Sequence, residues 1–155
     1  MAIQIGQKMP YCEIPATSQL TFSPQAYVGK KLVLYFYPKD STPGCTAEAG
    51  EFRDAIDAFT KTNALVVGVS RDTIKSHENF RQKLELPFEL VADTEEMLCQ
   101  IFNVIKMKNM YGKQVRGIDR STFLFDSSGK LAKEWRSTKV SGHVSEVLQA
   151  AQALG

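Results

Sequence analysis

The chain has 155 residues, of which 43% are hydrophobic and 23% are charged, a size and balance that predict a single domain over residues 1–155 with a substantial core. Its 19 basic and 17 acidic side chains leave a net charge of only +2, which argues against partners such as nucleic acid or an anionic membrane. The first residues lack the apolar run of a secretory signal, and no segment approaches the roughly 20 apolar residues of a membrane span. We therefore expect a cytoplasmic protein that acts on a small, uncharged or weakly charged substrate.

The three cysteines, Cys12, Cys45 and Cys99, are an odd and widely spaced set. This spacing does not predict the disulfide framework of a small secreted domain, and reduced thiols in a cytoplasm fit it better. The cysteines and the two histidines, His77 and His143, also lack the paired spacing of a zinc site. We expect no metal and no other cofactor, and we expect each histidine to be an exposed helical residue or a capping residue.

The first half of the chain predicts a βαβ unit. Residues 32–37 and 64–69 are short apolar runs rich in β-branched or aromatic residues, typical of strands that are buried on both faces and lie as parallel neighbours. Between them, apolar residues recur at near-helical spacing, which predicts one crossover helix. These residues are Ala47, Phe52, Ala55, Ile56 and Phe59.

The α/β alternation continues in the second half of the chain. The predicted elements are a helix at about 73–84, a strand at 88–91, a helix at about 94–102, a loop at 106–113, a hairpin of strands 121–125 and 131–135, and a helix at about 142–154. This order predicts an α/β protein with a three-layer α/β/α arrangement around a mixed sheet of about five strands. It resembles the thioredoxin fold with an N-terminal extension, which says little about function by itself.

The residues with the clearest chemical potential follow the end of the first central strand, where ligand sites of α/β sheets concentrate. Thr42 is a favourable N-cap and Pro43 suits the first helical position, so Gly44 and Cys45 fall in the first turn of the crossover helix. The positive end of a helix favours the thiolate, which is the nucleophilic form of cysteine. The free N–H groups of Gly44 and Cys45 could bind an oxygen atom of a reactant as negative charge develops on it.

The spacing Pro38, Thr42 and Cys45 resembles the Pro-x-x-x-Thr-x-x-Cys signature of the peroxiredoxins. The string YFYPKDSTPGCTAE is similar to the bacterioferritin comigratory protein, or peroxiredoxin Q, subfamily. Further similar segments are GQKMPYCEIPA, FRD, VVGVSRD, GIDRSTFLFDSSGK and KVSGHVSEVLQA. The resemblance therefore covers nearly the whole chain, with several motifs in the right order.

This resemblance implies a thiol-dependent peroxidase that serves antioxidant defence and cell redox homeostasis, as a monomer or weak dimer. It would reduce hydrogen peroxide and organic hydroperoxides through a sulfenic acid on Cys45, the peroxidatic cysteine. Thr42 would hydrogen-bond the sulfur and the peroxide, and Pro38 would shield the pocket from water.

Arg120 matches the active-site arginine of the family. A permanent cation beside the sulfur stabilises a thiolate and can hold the substrate oxygen in line, which supports this assignment independently. Arg116 is its nearest alternative in the sequence. Glu48 matches an acidic position that orients the arginine in the family, although a glutamate is also favourable in the first turn of any helix.

The resolving thiol is the open question, because many members of the subfamily carry a second cysteine where this chain has Gly50. A sulfenic acid must condense with a thiol to escape further oxidation. Cys99 could resolve Cys45 within the chain, or it could be an inert packed thiol. Cys12, expected in an N-terminal strand, has a weaker claim. We favour a one-cysteine cycle, in which glutathione, a glutaredoxin or a thioredoxin reduces Cys45.

Two other functions would also use a reactive cysteine. A disulfide oxidoreductase of the thioredoxin type normally needs a Cys-x-x-Cys pair, and Pro43-Gly44-Cys45-Thr46 has a single sulfur. A redox sensor or chaperone-like protein that uses oxidation of Cys45 as a switch is the main alternative to an enzyme.

Overall fold

The computed structural model describes residues 2–155, which contain nine strands, five α-helices and one 3₁₀ turn at Pro24–Tyr27. The strands are β1 (Ile14–Pro15), β2 (Thr21–Phe22), β3 (Lys31–Phe36), β4 (Ala64–Ser70), β5 (Leu90–Ala92), β6 (Ile105–Met110), β7 (Lys113–Ile118), β8 (Ser121–Phe125) and β9 (Leu131–Trp135). The helices are α1 (Pro43–Asp54), α2 (Ile56–Lys61), α3 (Ile74–Leu84), α4 (Met97–Phe102) and α5 (His143–Ala153).

Five strands form the central mixed sheet in the order β5-β4-β3-β8-β9. Strand β3 lies at its centre, parallel to β4 and antiparallel to β8. Every residue of β3 is buried, including Lys31, and the continuous apolar run from Leu32 to Phe36 predicts this for a strand covered on both faces. The predicted parallel neighbours, the terminal hairpin and the three-layer α/β arrangement are therefore confirmed.

The two faces of the sheet support two separate apolar clusters, because alternate side chains of a strand point to opposite faces. On the first, which we call the α1 face, Tyr35 and its neighbours pack with residues of α1, α2, α3 and α5, including Cys45 and Phe52. On the second, the α4 face, Phe36 and its neighbours pack with α4 and with the N-terminal segment, including Cys99. The two clusters place Cys45 and Cys99 on opposite sides of the sheet.

The crossover predicted as one helix is two. Helix α1 ends at Asp54, and Ala55, with φ −97° and ψ 3°, separates it from α2. The amide of Ala55 bonds the carbonyls of both Glu51 and Phe52, a tightening typical of a helix end. This break redirects the chain so that α2 packs on β4.

The loop predicted at 106–113 is wrong, since β6 and β7 pair in an antiparallel hairpin from Ile105↔Ile118 to Met110↔Lys113. Its two-residue turn is Tyr111-Gly112, with φ values of +53° and +78°, the left-handed pair that a type I′ hairpin turn requires. The pattern was missed because the strands carry exposed methionines and lysines instead of a clear apolar alternation.

The start of α4 and the placement of Cys12 also differ from prediction, as does the start of β5, which lies at Leu90 and not at 88. Helix α4 begins at Met97 because Glu96 has a left-handed backbone, with φ +61°. The sequence of the predicted helix, 94–102, contains no signal for this backbone conformation. Cys12 precedes β1 and is buried without belonging to a strand. Within residues 2–155, no helix combines the length and the apolar character needed to cross a bilayer.

Candidate active site

The candidate site lies where β3 ends and α1 begins. Thr42 occupies the N-cap position and Pro43 the first helical position, as the sequence predicts. The side chain of Thr42 does not cap the helix, however, because its hydroxyl donates to the carbonyl oxygen of Lys39 at 2.8 Å. Cys45 lies in the first turn and is only 1% exposed. Pro38 is half-buried and lies two residues beyond the end of β3.

Arg120 is brought to this turn from the short connection between β7 and β8. Its Nη2 atom lies 3.5 Å from Cys45 Sγ, and its Nη1 atom donates to Glu48 Oε1 at 2.7 Å. Its carbonyl oxygen accepts a 2.9 Å hydrogen bond from the amide of Thr138. One guanidinium therefore bridges the sulfur and a carboxylate that both belong to α1, a geometry that the flat, multidonor head of arginine allows.

Glu48 is fully buried at the inner side of α1, and its Oε2 atom has no hydrogen-bond partner among the described residues. Burial raises the pKa of this carboxyl group to about 7, even though the positive charge of Arg120 acts in the opposite direction. Burial also tends to lower the pKa of Arg120, but Glu48 and Cys45 raise it overall. The arginine is thus a fixed cation, while Glu48 is the member of the pair whose charge depends on pH near neutrality.

Gly44 gives the guanidinium room beside the helix. A Cβ atom at this position would lie 3.2 Å from Arg120 Nη2 and 3.8 Å from Val140 Cγ2, and the first contact is tighter than side chains normally tolerate. The absence of a side chain therefore lets Arg120 lie against the first turn, next to Cys45.

The other two cysteines lie on the α4 face and are buried like Cys45. Burial, together with the charge of Asp93, raises the pKa of Cys12 to about 11. The same two causes raise the pKa of Cys99 well above its ordinary range. Both thiols are therefore protonated at neutral pH.

Arg116, the sequence alternative to Arg120, lies elsewhere: its guanidinium pairs with Glu96, which also accepts from Arg71 at 3.0 Å. The hydrogen bond from Arg116 is the main cause that lowers the pKa of Glu96 to about 2; burial opposes it, and the hydrogen bond from Arg71 adds to it. The structure brings Arg120, not Arg116, to Cys45.

The expectation that both histidines are exposed or capping is wrong. His77 is 0% exposed and His143 is 5% exposed. His143 Nε2 lies 2.8 Å from Thr122 Oγ1, and burial lowers the pKa of this imidazole.

His77 lies 2.7 Å from Asp40, a residue of the loop that precedes Thr42. Sequence reasoning missed this pair because its members are 37 positions apart and either residue type is common on a surface.

Comparison with known proteins identifies the family. The family model of the AhpC/TSA family matches residues 5–134 of the chain. The chain belongs to this family and is a peroxiredoxin.

Individual peroxiredoxins match over most of their length. Peroxiredoxin Bcp of Bacillus subtilis is 49% identical over 96% of this chain and 95% of its own. Peroxiredoxin Bcp of Xanthomonas campestris is 54% identical over 83% of this chain and 81% of its own. A solved structure of the Xanthomonas campestris bacterioferritin comigratory protein, described for its alkyl peroxide reduction activity, has a TM-score of 0.90 and 45% identity. It covers 97% of this chain, which spans 96% of that one.

The peroxiredoxin assignment and the thioredoxin-like fold expected from the sequence are thereby confirmed. The activity expected from the sequence is confirmed as well: this peroxiredoxin is a thiol-dependent peroxidase.

Proposed function

We propose that Cys45 is the peroxidatic cysteine of this peroxiredoxin. Its thiolate attacks the terminal oxygen of a hydroperoxide, the O–O bond breaks, and the leaving alkoxide or hydroxide takes a proton. The sulfur is oxidised to a sulfenic acid, and the peroxide is reduced to an alcohol or water. A thiol then attacks the sulfenic sulfur, forming a disulfide and releasing water.

The observation that carries this proposal is the 3.5 Å approach of Arg120 Nη2 to Cys45 Sγ at the start of α1. A buried anion is costly unless it is paired, and here both the guanidinium and the helix N-terminus supply positive charge. The same guanidinium is held by Glu48, so its position is fixed before the substrate arrives. Such preorganised charge is the largest contribution that many active sites make to lowering a barrier.

The groups around the sulfur suit a hydroperoxide. Because Thr42 uses its only hydroxyl proton on Lys39, its oxygen is left as an acceptor for the O–H of an incoming peroxide. The first-turn N–H groups of Gly44 and Cys45 have no intrahelical acceptor and are available to the oxygen that gains charge. Pro38, which offers no N–H, is proposed to shield the sulfur from water.

For the second half of the cycle we propose an external thiol, supplied by glutathione, a glutaredoxin or a thioredoxin. The attacking species must be a thiolate, and the raised pKa values of Cys12 and Cys99 disfavour that form. Both also lie in the cluster on the other side of the sheet from Cys45. We further propose that the protein works in the cytoplasm, as a monomer or weak dimer, on hydrogen peroxide and organic hydroperoxides.

Turnover and disulfide mapping test the proposal together. With excess dithiothreitol, the protein should remove many equivalents of hydrogen peroxide, and Cys45→Ser should abolish this removal. After one equivalent of peroxide without reductant, peptide maps should contain no Cys45 to Cys99 disulfide. Full turnover by Cys45→Ser would refute the role of Cys45, consumption of only one equivalent by the parent protein would favour a sensor, and a Cys45 to Cys99 disulfide would refute the one-cysteine cycle.

A further inference from the structure

A buried polar network lies directly beside the loop that carries the peroxidatic helix. Asp40, in the loop between β3 and α1, is 6% exposed. Its carboxylate accepts hydrogen bonds from Tyr37 Oη at 2.6 Å and from Ser76 Oγ at 2.8 Å. His77 Nδ1 lies 2.7 Å from the same group. Three side chains therefore converge on one carboxylate of a loop that is otherwise short and irregular.

His77 fixes the other end of this network. It belongs to α3, and its Nε2 atom lies 2.9 Å from the carbonyl oxygen of Val91 in the central sheet. Since a carbonyl oxygen only accepts, Nε2 is the ring nitrogen that donates to Val91, and Nδ1 faces the carboxyl group of Asp40. The imidazole is thus a rigid link between the sheet and the loop, with no exposed edge.

The backbone of the loop is held on the same side. The amide of Asp40 donates to Asp72 Oδ2 at 2.9 Å, and Ser41, with φ +65°, turns the chain towards α1. Asp40, Asp72 and His77 place potential ligand atoms within 4.8 Å of one another. Those atoms are already hydrogen-bonded to one another or to Tyr37, Ser70 and Ser76, so the cluster is a closed network and not an open cation site.

None of these groups takes part in the peroxide chemistry described above, yet burying an ionisable pair is expensive unless it is fully hydrogen-bonded. Asp40, the member of the network in this loop, lies two residues before Thr42 and five before Cys45. Cys45 is nearly inaccessible in this closed arrangement. A peroxide is small enough to reach the sulfur without a change in the helix. A bulky thiol cannot reach the sulfur unless the first turn of α1 loosens.

We propose that Asp40 and His77 are positioning residues that lock the first turn of α1 in its closed arrangement. The lock accelerates attack of Cys45 on the peroxide and retards attack of an external thiol on the oxidised sulfur. This inference rests on the proposed role of Cys45, and its signature is an opposite effect on the two half-reactions. A loss of overall fold would instead slow both.

Two substitutions at one position make the sharpest test. Glutamine places its amide nitrogen near the position of imidazole Nε2. His77→Gln therefore retains the hydrogen bond to Val91 and loses the one to Asp40. Asparagine places its nitrogen near Nδ1, so His77→Asn retains the link to Asp40. Asp40→Asn removes the carboxylate itself. Lys31→Met is the control for a lost buried anchor, since Lys31 Nζ bonds the carbonyl oxygen of Ala151 at 2.8 Å at the opposite end of β3.

Rapid-mixing kinetics should measure the peroxide step and the thiol step separately, with hydrogen peroxide and then glutathione. In His77→Gln and Asp40→Asn we expect the peroxide step to slow by about tenfold and the thiol step to accelerate by about threefold. His77→Asn should lie closer to the parent protein, and Lys31→Met should change neither step. Equal behaviour of the glutamine and asparagine variants, or slowing of both steps alike, would overturn the lock. Turnover in Cys45→Ser would overturn the proposed function instead.

Discussion

At the scale of single residues, the candidate site depends on how Arg120 is shared. Its two terminal nitrogens serve different partners on α1, Cys45 at 3.5 Å and Glu48 at 2.7 Å. The sequence predicts that these residues meet, because the resemblance assigns all three to one site. It does not predict that Glu48 is fully buried with one oxygen that has no partner within residues 2–155, since that depends on how tightly α1 packs against β3.

The geometry of the guanidinium predicts unequal effects of two substitutions at Arg120. Arg120→Met removes the cation beside the sulfur and should lower kcat/KM for hydrogen peroxide by about 10²-fold. Arg120→Lys keeps a positive charge but cannot hold Glu48 and Cys45 with one planar head, so we expect a loss of about tenfold. Circular dichroism serves as the check on folding. Equal activity of the methionine variant and the parent protein would be inconsistent with a role for the cation.

The buried carboxyl group predicts a pH dependence of stability. The pKa of Glu48 is about 7 in the folded protein, against an ordinary value of 4.5, so the folded state binds the proton more tightly than the unfolded state. Its contribution to stability is therefore complete below about pH 4.5 and is lost as the pH rises through about 7. The size of this contribution is on the order of 3 kcal/mol.

Glu48→Gln removes this titration. Urea unfolding of the variant and the parent protein at a series of pH values from 5 to 8 should therefore give a difference in unfolding free energy that shifts in favour of the variant as pH rises. A difference that is constant across this range would contradict the raised pKa of Glu48.

At the scale of secondary-structure elements, the two glycines of α1 have different environments. A Cβ atom at Gly44 would meet Arg120 Nη2 at 3.2 Å, whereas one at Gly50 would lie at an ordinary contact distance of 3.5 Å from Arg53 Nη2. A side chain at Gly44 would therefore require the guanidinium of Arg120 to shift. Gly50 is an ordinary helical glycine that lowers helix stability.

Alanine at each position should separate function from stability. Gly44→Ala should displace the guanidinium and slow the peroxide step by about tenfold, with little loss of thermal stability. Gly50→Ala should leave the peroxide step unchanged and stabilise the protein by about 0.5–1 kcal/mol. Stopped-flow kinetics and thermal unfolding measure both effects. A slower peroxide step in Gly50→Ala, or none in Gly44→Ala, would contradict this account of α1.

The elements that the sequence predicts correctly are those with a strong local pattern. Strand β3 is a continuous apolar run, and α3 begins at a good N-cap, Thr73, whose hydroxyl accepts from the amide of Ser76. The hairpin of β6 and β7 lacks such a pattern, because it is largely exposed and its pairing depends on the backbone of Tyr111 and Gly112. A tyrosine before a glycine is a weak turn signal, so local sequence left this hairpin undetected.

At the scale of the whole molecule, the sheet divides the cysteines. Cys45 packs on the α1 face, and Cys12 and Cys99 pack on the α4 face. Sequence reasoning left Cys99 open as a resolving thiol because the face on which a helix packs depends on the handedness and order of the connections. For the same reason it missed the meeting of Asp40 with His77, which depends on where α3 crosses the sheet.

The division of the cysteines predicts that the α4-face thiols are dispensable. A Cys12→Ser, Cys99→Ser double variant should retain peroxide turnover with glutathione or dithiothreitol within about twofold of the parent protein, since neither thiol is proposed to act in the cycle. Steady-state assays on the folded variant provide the measurement. Single substitutions serve as controls for any effect of packing in the α4-face cluster. A tenfold loss in Cys99→Ser alone, with the fold intact, would speak for resolution by that residue.

The most direct test of the central claim is to locate the sulfenic acid itself. The protein is treated with one equivalent of hydrogen peroxide in the presence of dimedone, which traps sulfenic acids, and the adduct is mapped by mass spectrometry. The account predicts the adduct on the peptide that contains Cys45, and on neither Cys12 nor Cys99. An adduct on Cys12 or Cys99 with Cys45 unmodified would contradict the proposal that Cys45 attacks the peroxide.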